Sequence, residues 1–379
     1  MKLLHVVATR ELRYGGPVRV AESMARYIRD RGCDARVFPD GPVRGFLYWP
    51  GPSEVARLWN QIAWSDIVHV HGLWTAPTTL AAVCARCQGR HYVVTPHGML
   101  DSWSLRRSAR KKMMYAALFE RRNLDAATAL HVLNNEELQE ARSFGVRSPA
   151  FILANGVVEE DIQDNRDRAL LEARFPWLQG KIVVLFLGRI HPKKGLDLLI
   201  PALQQVLSSC PSLYLILAGP DDGGYRRALE EMIGRATVGD HVIFTGEVLN
   251  DDKRVLLAGS DLFVLPSRQE GDSVAVKEAM ASGLPVIVTR ACHLPEVASG
   301  RAGFVIDRNV ESVGHALLTL GQDPELRREL GARARELVRR RYCWNMLADR
   351  LVAVYRDLML GTRESECWVP GERVSLGHR

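Results

Sequence analysis

Short apolar runs recur along the chain, separated by stretches whose apolar residues return every three or four positions. In the first half the runs are residues 3–8, 35–38, 67–70, 92–95, 129–132 and 151–153. A second series begins afresh at 182–187 and continues through 213–218, 242–245, 262–265, 285–289 and 303–305. Residues 18–31 carry a helical pattern behind a glycine-rich turn. Short β-branched runs alternating with helices predict βαβ units with right-handed crossovers, and so parallel sheets. Two such series predict two doubly wound α/β domains, placed at residues 1–165 and 166–342, with the polar stretch 159–168 as their connection. Residues 325–341 read as a basic helix and 344–360 as a further amphipathic helix. The tail 361–379 has no periodic pattern and is expected to be poorly ordered. There is no internal repeat and no low-complexity tract.

Composition narrows the class. A chain of 379 residues has room for two cores, and 47% hydrophobic with 25% charged residues is globular rather than disordered. No run approaches the roughly 18 apolar residues that span a bilayer. The opening Met1-Lys2-Leu3-Leu4-His5-Val6-Val7-Ala8 is too short an apolar stretch for a signal peptide and reads as a first buried strand. Seven scattered cysteines and no Asn-x-Ser/Thr site fit a reducing cytoplasm. Cys84 and Cys87 form a lone CxxC without the second ligand pair that zinc requires, and are read as core or incidental.

The net charge of +6 is uneven. Between Trp103 and Leu124, Arg106, Arg107, Arg110, Lys111, Lys112, Arg121 and Arg122 face Glu120 alone, an excess equal to that of the whole chain. Interleaved are Trp103, Leu105, Met113, Met114, Tyr115, Leu118 and Phe119. A helix here is expected to turn much of this apolar set inward and its cations toward an anionic membrane surface or acceptor, or simply toward water. Basic helices also raise the question of nucleic acid, but no DNA- or RNA-binding module pattern is present and no such partner is expected.

In open parallel sheets, ligands sit beyond the carboxyl ends of strands, so candidate chemistry is sought in the loops that follow them. After the run 262–265 comes Pro266-Ser267-Arg268-Gln269-Glu270-Gly271-Asp272-Ser273-Val274-Ala275-Val276-Lys277-Glu278. Glu270, on a loop, can reach a ligand's hydroxyls. The residues Gly271, Asp272, Ser273 and Val274 lead into a helix whose first amides can meet a phosphate. Glu278, on that helix, can accept from a ribose diol. After 182–187 comes Gly188-Arg189-Ile190-His191-Pro192-Lys193-Lys194-Gly195, where Arg189 offers a forked donor and Lys194 a point charge for a diphosphate. In the first half, Tyr14-Gly15-Gly16-Pro17 follows a strand and precedes a helix, so Gly15 and Gly16 allow close approach of backbone to an anion or sugar. It is not GxGxxG, and no nicotinamide site follows from it. His97, in Thr95-Pro96-His97-Gly98, lies just past another strand.

The segment from Glu270 to Glu278, continued by Ala279-Met280-Ala281-Ser282-Gly283-Leu284-Pro285-Val286-Ile287, closely resembles the EX7E stretch of the retaining group 1 glycosyltransferases. The spacing Gly188-Arg189-x4-Lys194-Gly195 is similar to the same family's donor-phosphate motif, and Asn155-Gly156-Val157 to its turn near the domain junction. Asp272 stands where that family often has an aromatic or aliphatic residue, and Asn134-Asn135 replace small hydroxyl residues before Glu136 and Glu137, which are given only a packing role.

The resemblance implies a GT-B architecture: an acceptor-binding domain and a nucleotide-sugar-binding domain facing a cleft, with helix 343–360 returning to the first domain. It implies hexosyl transfer with retained configuration from a UDP- or GDP-sugar to a glycan or lipid-linked acceptor in polysaccharide biosynthesis. Arg189 and Lys194 would stabilise the leaving diphosphate, Glu270 hold the donor sugar, Glu278 bind ribose, and His97 point toward the transferred sugar. No metal or other cofactor is expected, because the chain has no Asp-x-Asp pair to hold one. A cytoplasmic site, at the inner face of the cell membrane, fits such an acceptor. A sugar-nucleotide epimerase, a glycan phosphorylase and a non-catalytic subunit share the fold as alternatives.

Overall fold

The computed structural model describes residues 1–9, 16–39, 49–106, 108–162 and 166–370. The chain divides into two compact units, Met1–Gly156 with Trp344–Arg379, and Val157–Cys343. Each is built on a six-stranded, wholly parallel sheet.

In the first unit the strands are β1 (Lys2–Val7), β2 (Asp34–Phe38), β3 (Ile67–His71), β4 (His91–Thr95), β5 (Ala129–Val132) and β6 (Ala150–Ile152), in the order β2-β1-β3-β4-β5-β6. The core beneath the sheet includes Leu58, Ile62, Val68, Tyr92, Leu124 and Leu130. In the second unit β7 (Ile182–Leu187), β8 (Leu213–Ala218), β9 (Val242–Gly246), β10 (Leu262–Leu265), β11 (Val286–Thr289) and β12 (Gly303–Ile306) run β12-β11-β10-β7-β8-β9. Strand order therefore reverses between β7 and β10, and ligands of doubly wound sheets bind at such a switch point.

Helix Trp344–Leu360 packs on helix Gly16–Arg29 of the first unit, where Arg31 grips Asp349. Gly156 is required at this return, because a Cβ there would lie 2.6 Å from the Trp344 ring. The tail departs from expectation over residues 361–370. Cys367 and Trp368 are buried, Trp368 Nε1 donates to Asp357 Oδ2 at 2.7 Å, and its ring meets Phe151 edge to face. Backbone bonds from Ile152 N to Cys367 O and from Val369 N to Ala150 O add the segment to the sheet edge at β6. The cause is one aromatic anchor and edge pairing, which need no periodicity. Residues 371–379 lie outside the described residues.

A second departure concerns residues 102–125. They form helices Ser102–Arg106, Ala109–Tyr115 and Arg121–Asp125 with a π-helical turn, Ala116–Glu120, before the last. The inward positions are Ala116, Glu120, Asn123 and Leu124, whereas Met113, Met114, Leu118 and Phe119 are exposed. The π turn is anchored by Glu120, whose carboxylate accepts from Thr79 Oγ1 at 2.8 Å and from Trp74 N at 3.3 Å. A buried polar anchor thus sets the register that the apolar count alone assigned otherwise.

Among the described residues, no helix is long and apolar enough to cross a membrane. Cys84 is buried and Cys87 exposed on helix Ala76–Cys87, both as free thiols.

Candidate functional site

Two loops leave the adjacent carboxyl ends of β7 and β10, and a short list of contacts binds them together. His191 Nδ1 accepts from Lys193 N, which starts the 3-10 turn Pro192–Lys194. Gly195 follows at φ +71°, and a Cβ there would lie 2.0 Å from Pro266 O, so only glycine lets the loops approach this closely. From the other loop, Arg268 N donates to Lys193 O at 2.7 Å, and the Arg268 guanidinium forks onto Asp197 at 2.7 and 2.6 Å.

The outcome is an ion pair at the switch point. Lys194 Nζ lies 2.7 Å from Glu270 Oε1, an oxygen that also accepts from Ser267 Oγ at 2.5 Å. Glu270 is 8% exposed. Burial pushes its carboxyl up, but Lys194 and the Ser267 hydroxyl outweigh that and hold it below the usual carboxylate value. Oε2 has no protein partner among the described residues. One oxygen is therefore fixed and the other can accept from a ligand hydroxyl.

The remaining expected residues of this unit fall nearby in the chain but are engaged differently. Glu278 is paired with Lys253 at 2.7 Å, each side chain 12% exposed. Arg189, half exposed, is held by Asp222 rather than joined to Lys194 or Glu270. Asp272 is paired with Lys277 at 2.5 Å inside the protein, with side-chain exposures of 4% and 0%. Burial pulls the Lys277 ammonium below its usual value and the Asp272 carboxylate offsets this only in part. Asp272 is thus left with its backbone to offer a ligand. Ser273 caps helix Val274–Ala281, its side chain accepting from Val276 N. Gly271 precedes that cap in the loop.

In the first unit, Gly16 opens helix Gly16–Arg29, while Gly15, Tyr14 and Arg107 lie outside the described residues. His97 sits two residues past β4 with φ +54°, a left-handed conformation that histidine tolerates better than most residues. Its turn is fixed by Glu137, which is more than a packing residue: Oε1 accepts from Gly98 N at 2.6 Å and Oε2 from Leu133 N at 2.7 Å. The signal for it was Asn134, whose side chain caps helix Asn135–Phe144 by accepting from Glu137 N and so turns that carboxylate inward. Lys253, Lys277 and Asp222 were missed as well. Lys277 had a local cue, a lysine five residues after Asp272 on a face otherwise apolar; the other two partners come from distant helices and loops and had none.

Residues 167–337 match the model of Glycosyl transferases group 1, and residues 15–156 that of a Glycosyl transferase 4-like domain. The GDP-mannose-dependent alpha-(1-6)-phosphatidylinositol monomannoside mannosyltransferase of Mycobacterium tuberculosis is 31% identical over 319 residues, covering 81% of this chain and 80% of that protein. Among solved structures, a sucrose-phosphate synthase from Thermosynechococcus elongatus aligns with a TM-score of 0.77 at 18% identity, covering 96% of this chain and 100% of that one. Anabaena HepE in complex with UDP-glucose aligns with a TM-score of 0.77 at 19% identity, covering 94% and 100%. At such identities these likenesses establish the fold, a two-domain Rossmann-like GT-B architecture. With its two family domains matched and a relative alike along most of both sequences, the chain belongs to the group 1 glycosyltransferase family.

Proposed function

We propose that this transferase takes a sugar from a UDP- or GDP-sugar and delivers it, with retained configuration, to a glycan or lipid-linked acceptor in polysaccharide biosynthesis. The observation that carries the reading is the Lys194–Glu270 pair at the β7/β10 switch point. Lys194, with Arg189 once drawn from Asp222, stabilises the charge that grows on the departing diphosphate, aided by amides from Gly271 to Val274 at the helix start. Glu270 accepts from donor-sugar hydroxyls through Oε2 and faces the positive charge that develops on the ring. Glu278 receives the ribose diol. His97 contacts the transferred sugar. The C1–phosphate bond breaks as the acceptor oxygen bonds to C1 from the same face, and the acceptor's proton passes to a donor phosphate oxygen. Cations in place of an Asp-x-Asp holder make the reaction independent of a divalent metal.

GDP-mannose is the first donor to try, because the mycobacterial relative is named for it. The exposed Met113, Met114, Leu118 and Phe119 beside Arg110, Lys111, Arg121 and Arg122 are read as the surface that meets an anionic leaflet holding the acceptor.

The test is turnover of labelled nucleotide sugars with analysis of products, in excess chelator. Lys194→Ala and Glu270→Ala should each lower kcat by about 10²–10³ with the fold intact, as for loss of one preorganised charge-stabilising group. Near-normal rates in either variant, epimerised sugar without transfer, or activity abolished by chelator and restored by Mn²⁺ would each reject the corresponding part.

A further inference from the structure

Five histidines of the first unit gather across its sheet: His5 on β1, His69 and His71 on β3, His97 after β4 and His131 on β5. The parallel register puts His5 beside His69 and His71 beside Thr95. His5, His69, His71 and His131 are at most 1% exposed. Their nitrogens form two hydrogen-bonded chains, and each chain has a direction that can be worked out.

The first chain ends on a group that can only accept. His131 Nε2 lies 2.7 Å from Leu153 O, so Nε2 carries the hydrogen and Nδ1 is an acceptor. Thr95 Oγ1, 2.9 Å from that Nδ1, donates to it and in turn accepts from His69 Nε2 at 2.7 Å. His69 Nδ1 then accepts from the Tyr355 hydroxyl at 2.6 Å. Both nitrogens of His69 are thereby committed to hydroxyl groups.

The second chain runs His5 Nδ1 to His71 Nε2 at 3.0 Å, and His71 Nδ1 to His97 Nε2 at 3.1 Å. Its inner end, His5 Nε2, is buried with no partner. A buried N–H without an acceptor is rarer in proteins than an acceptor left without a donor. The hydrogen on His5 therefore sits at Nδ1, His71 receives it at Nε2 and carries its own at Nδ1, and His97 accepts at Nε2. A neutral His97 must then hold its hydrogen at Nδ1, which no described residue bonds. Burial supports neutrality throughout, pushing His5 and His97 down to about 3 and His71 well below its ordinary value.

We propose that His71, itself oriented by His5, is a positioning residue that fixes His97 as the Nδ1–H tautomer, a hydrogen-bond donor for an oxygen of the bound sugar. The catalytic half of this statement rests on the proposed contact of His97 with the sugar; the tautomer half does not.

The experiment uses full-length protein labelled with ¹⁵N at histidine and long-range ¹H–¹⁵N correlation, with His97→Gln to assign the His97 signals. The proposal expects Nδ1–H at His97 in the wild type. In His71→Phe the ring should shift toward Nε2–H and kcat/KM should fall roughly tenfold, one neutral hydrogen bond's worth. His71→Asn, which keeps an N–H donor, should restore the Nδ1–H form. In a His97→Gln background, His71→Phe should cost no further activity. Nε2–H at wild-type His97, a tautomer unmoved by His71→Phe, or stoichiometric zinc held by His5, His69 and His71 would overturn it. The tautomer signature with unchanged kinetics would instead reject the sugar contact of His97 and leave the relay standing.

Discussion

Asp272 and Lys277 are both out of water, and a pair in that position behaves asymmetrically under mutation. Removing one partner strands a buried charge and typically costs about 3–5 kcal/mol, whereas replacing both with apolar side chains of similar size is often neutral or stabilising. The Lys277 ammonium also lies 4.2 Å from the Tyr342 ring centre, so its methylene stem and charge are packed on an apolar wall. Asp272→Ala should therefore lower the unfolding free energy of the second unit by about 3–5 kcal/mol, read as a shift of denaturant midpoint, and Asp272→Leu with Lys277→Met should recover most of it. Equal losses in the single and double variants would show that the pair does more than neutralise itself. Such partners mark the boundary of what the sequence reveals about the site. Glu270, Glu278, Arg189 and Lys194 were singled out by motifs that resemble the family's, and of these the structure joins Lys194 to Glu270. Lys253 and Asp222 were not, because they reach Glu278 and Arg189 from elements brought together only by folding.

Among the elements, the strands were easy to read because a short run of β-branched and leucine side chains is its own signal: β7, β8 and β10 begin and end where the apolar runs do. Residues 102–125 were harder. Their hydrophobic residues suggest an inward face, yet the inward positions go to Ala116, Glu120, Asn123 and Leu124, with Asn123 Oδ1 accepting from Arg86 at 2.7 Å. Hydrogen bonds to residues far along the chain chose the register, and no local pattern records them. The consequence is a surface on which Met113 at 66%, Met114 at 63% and Leu118 at 63% exposure stand among cations. Apolar side chains insert at the headgroup level while lysine and arginine each add about 1 kcal/mol near an anionic leaflet. Lys111→Gln with Arg121→Gln should thus weaken binding to vesicles rich in anionic phospholipid about thirtyfold at low salt, as measured by co-sedimentation. Met113→Ser with Leu118→Ser should weaken it at any lipid charge. Binding by the wild type that ignores anionic lipid would remove the electrostatic half of this reading.

For the molecule as a whole, the histidines distribute the response to acid unequally. Each of them, read singly in a strand, is an ordinary core residue; only the parallel register of β1, β3, β4 and β5 reveals the cluster. The second unit has His191, His241, His293 and His315, none of them fully buried. In the first, burial holds His5 down at about 3 and His131 at about 4, with His69 and His71 well below their ordinary value. An unfolded chain protonates these rings near 6.5 and the folded unit does not. Stability from them is therefore full above about pH 6.5 and is lost as pH falls toward the folded values, by about 1.4 kcal/mol per histidine for each pH unit. His97 is held down in the same way, and several such rings in one unit steepen its loss of stability in acid together. Acid should consequently open the first unit before the second. Hydrogen exchange pulsed at stepped pH would read this directly: peptides from residues 67–95 should lose protection between about pH 6 and 4.5, while those from 182–218 keep theirs. Simultaneous opening, or protection of 67–95 that persists below pH 4, would mean that the rings are charged in the folded state and that the hydrogen-bonded chains do not exist in their neutral form.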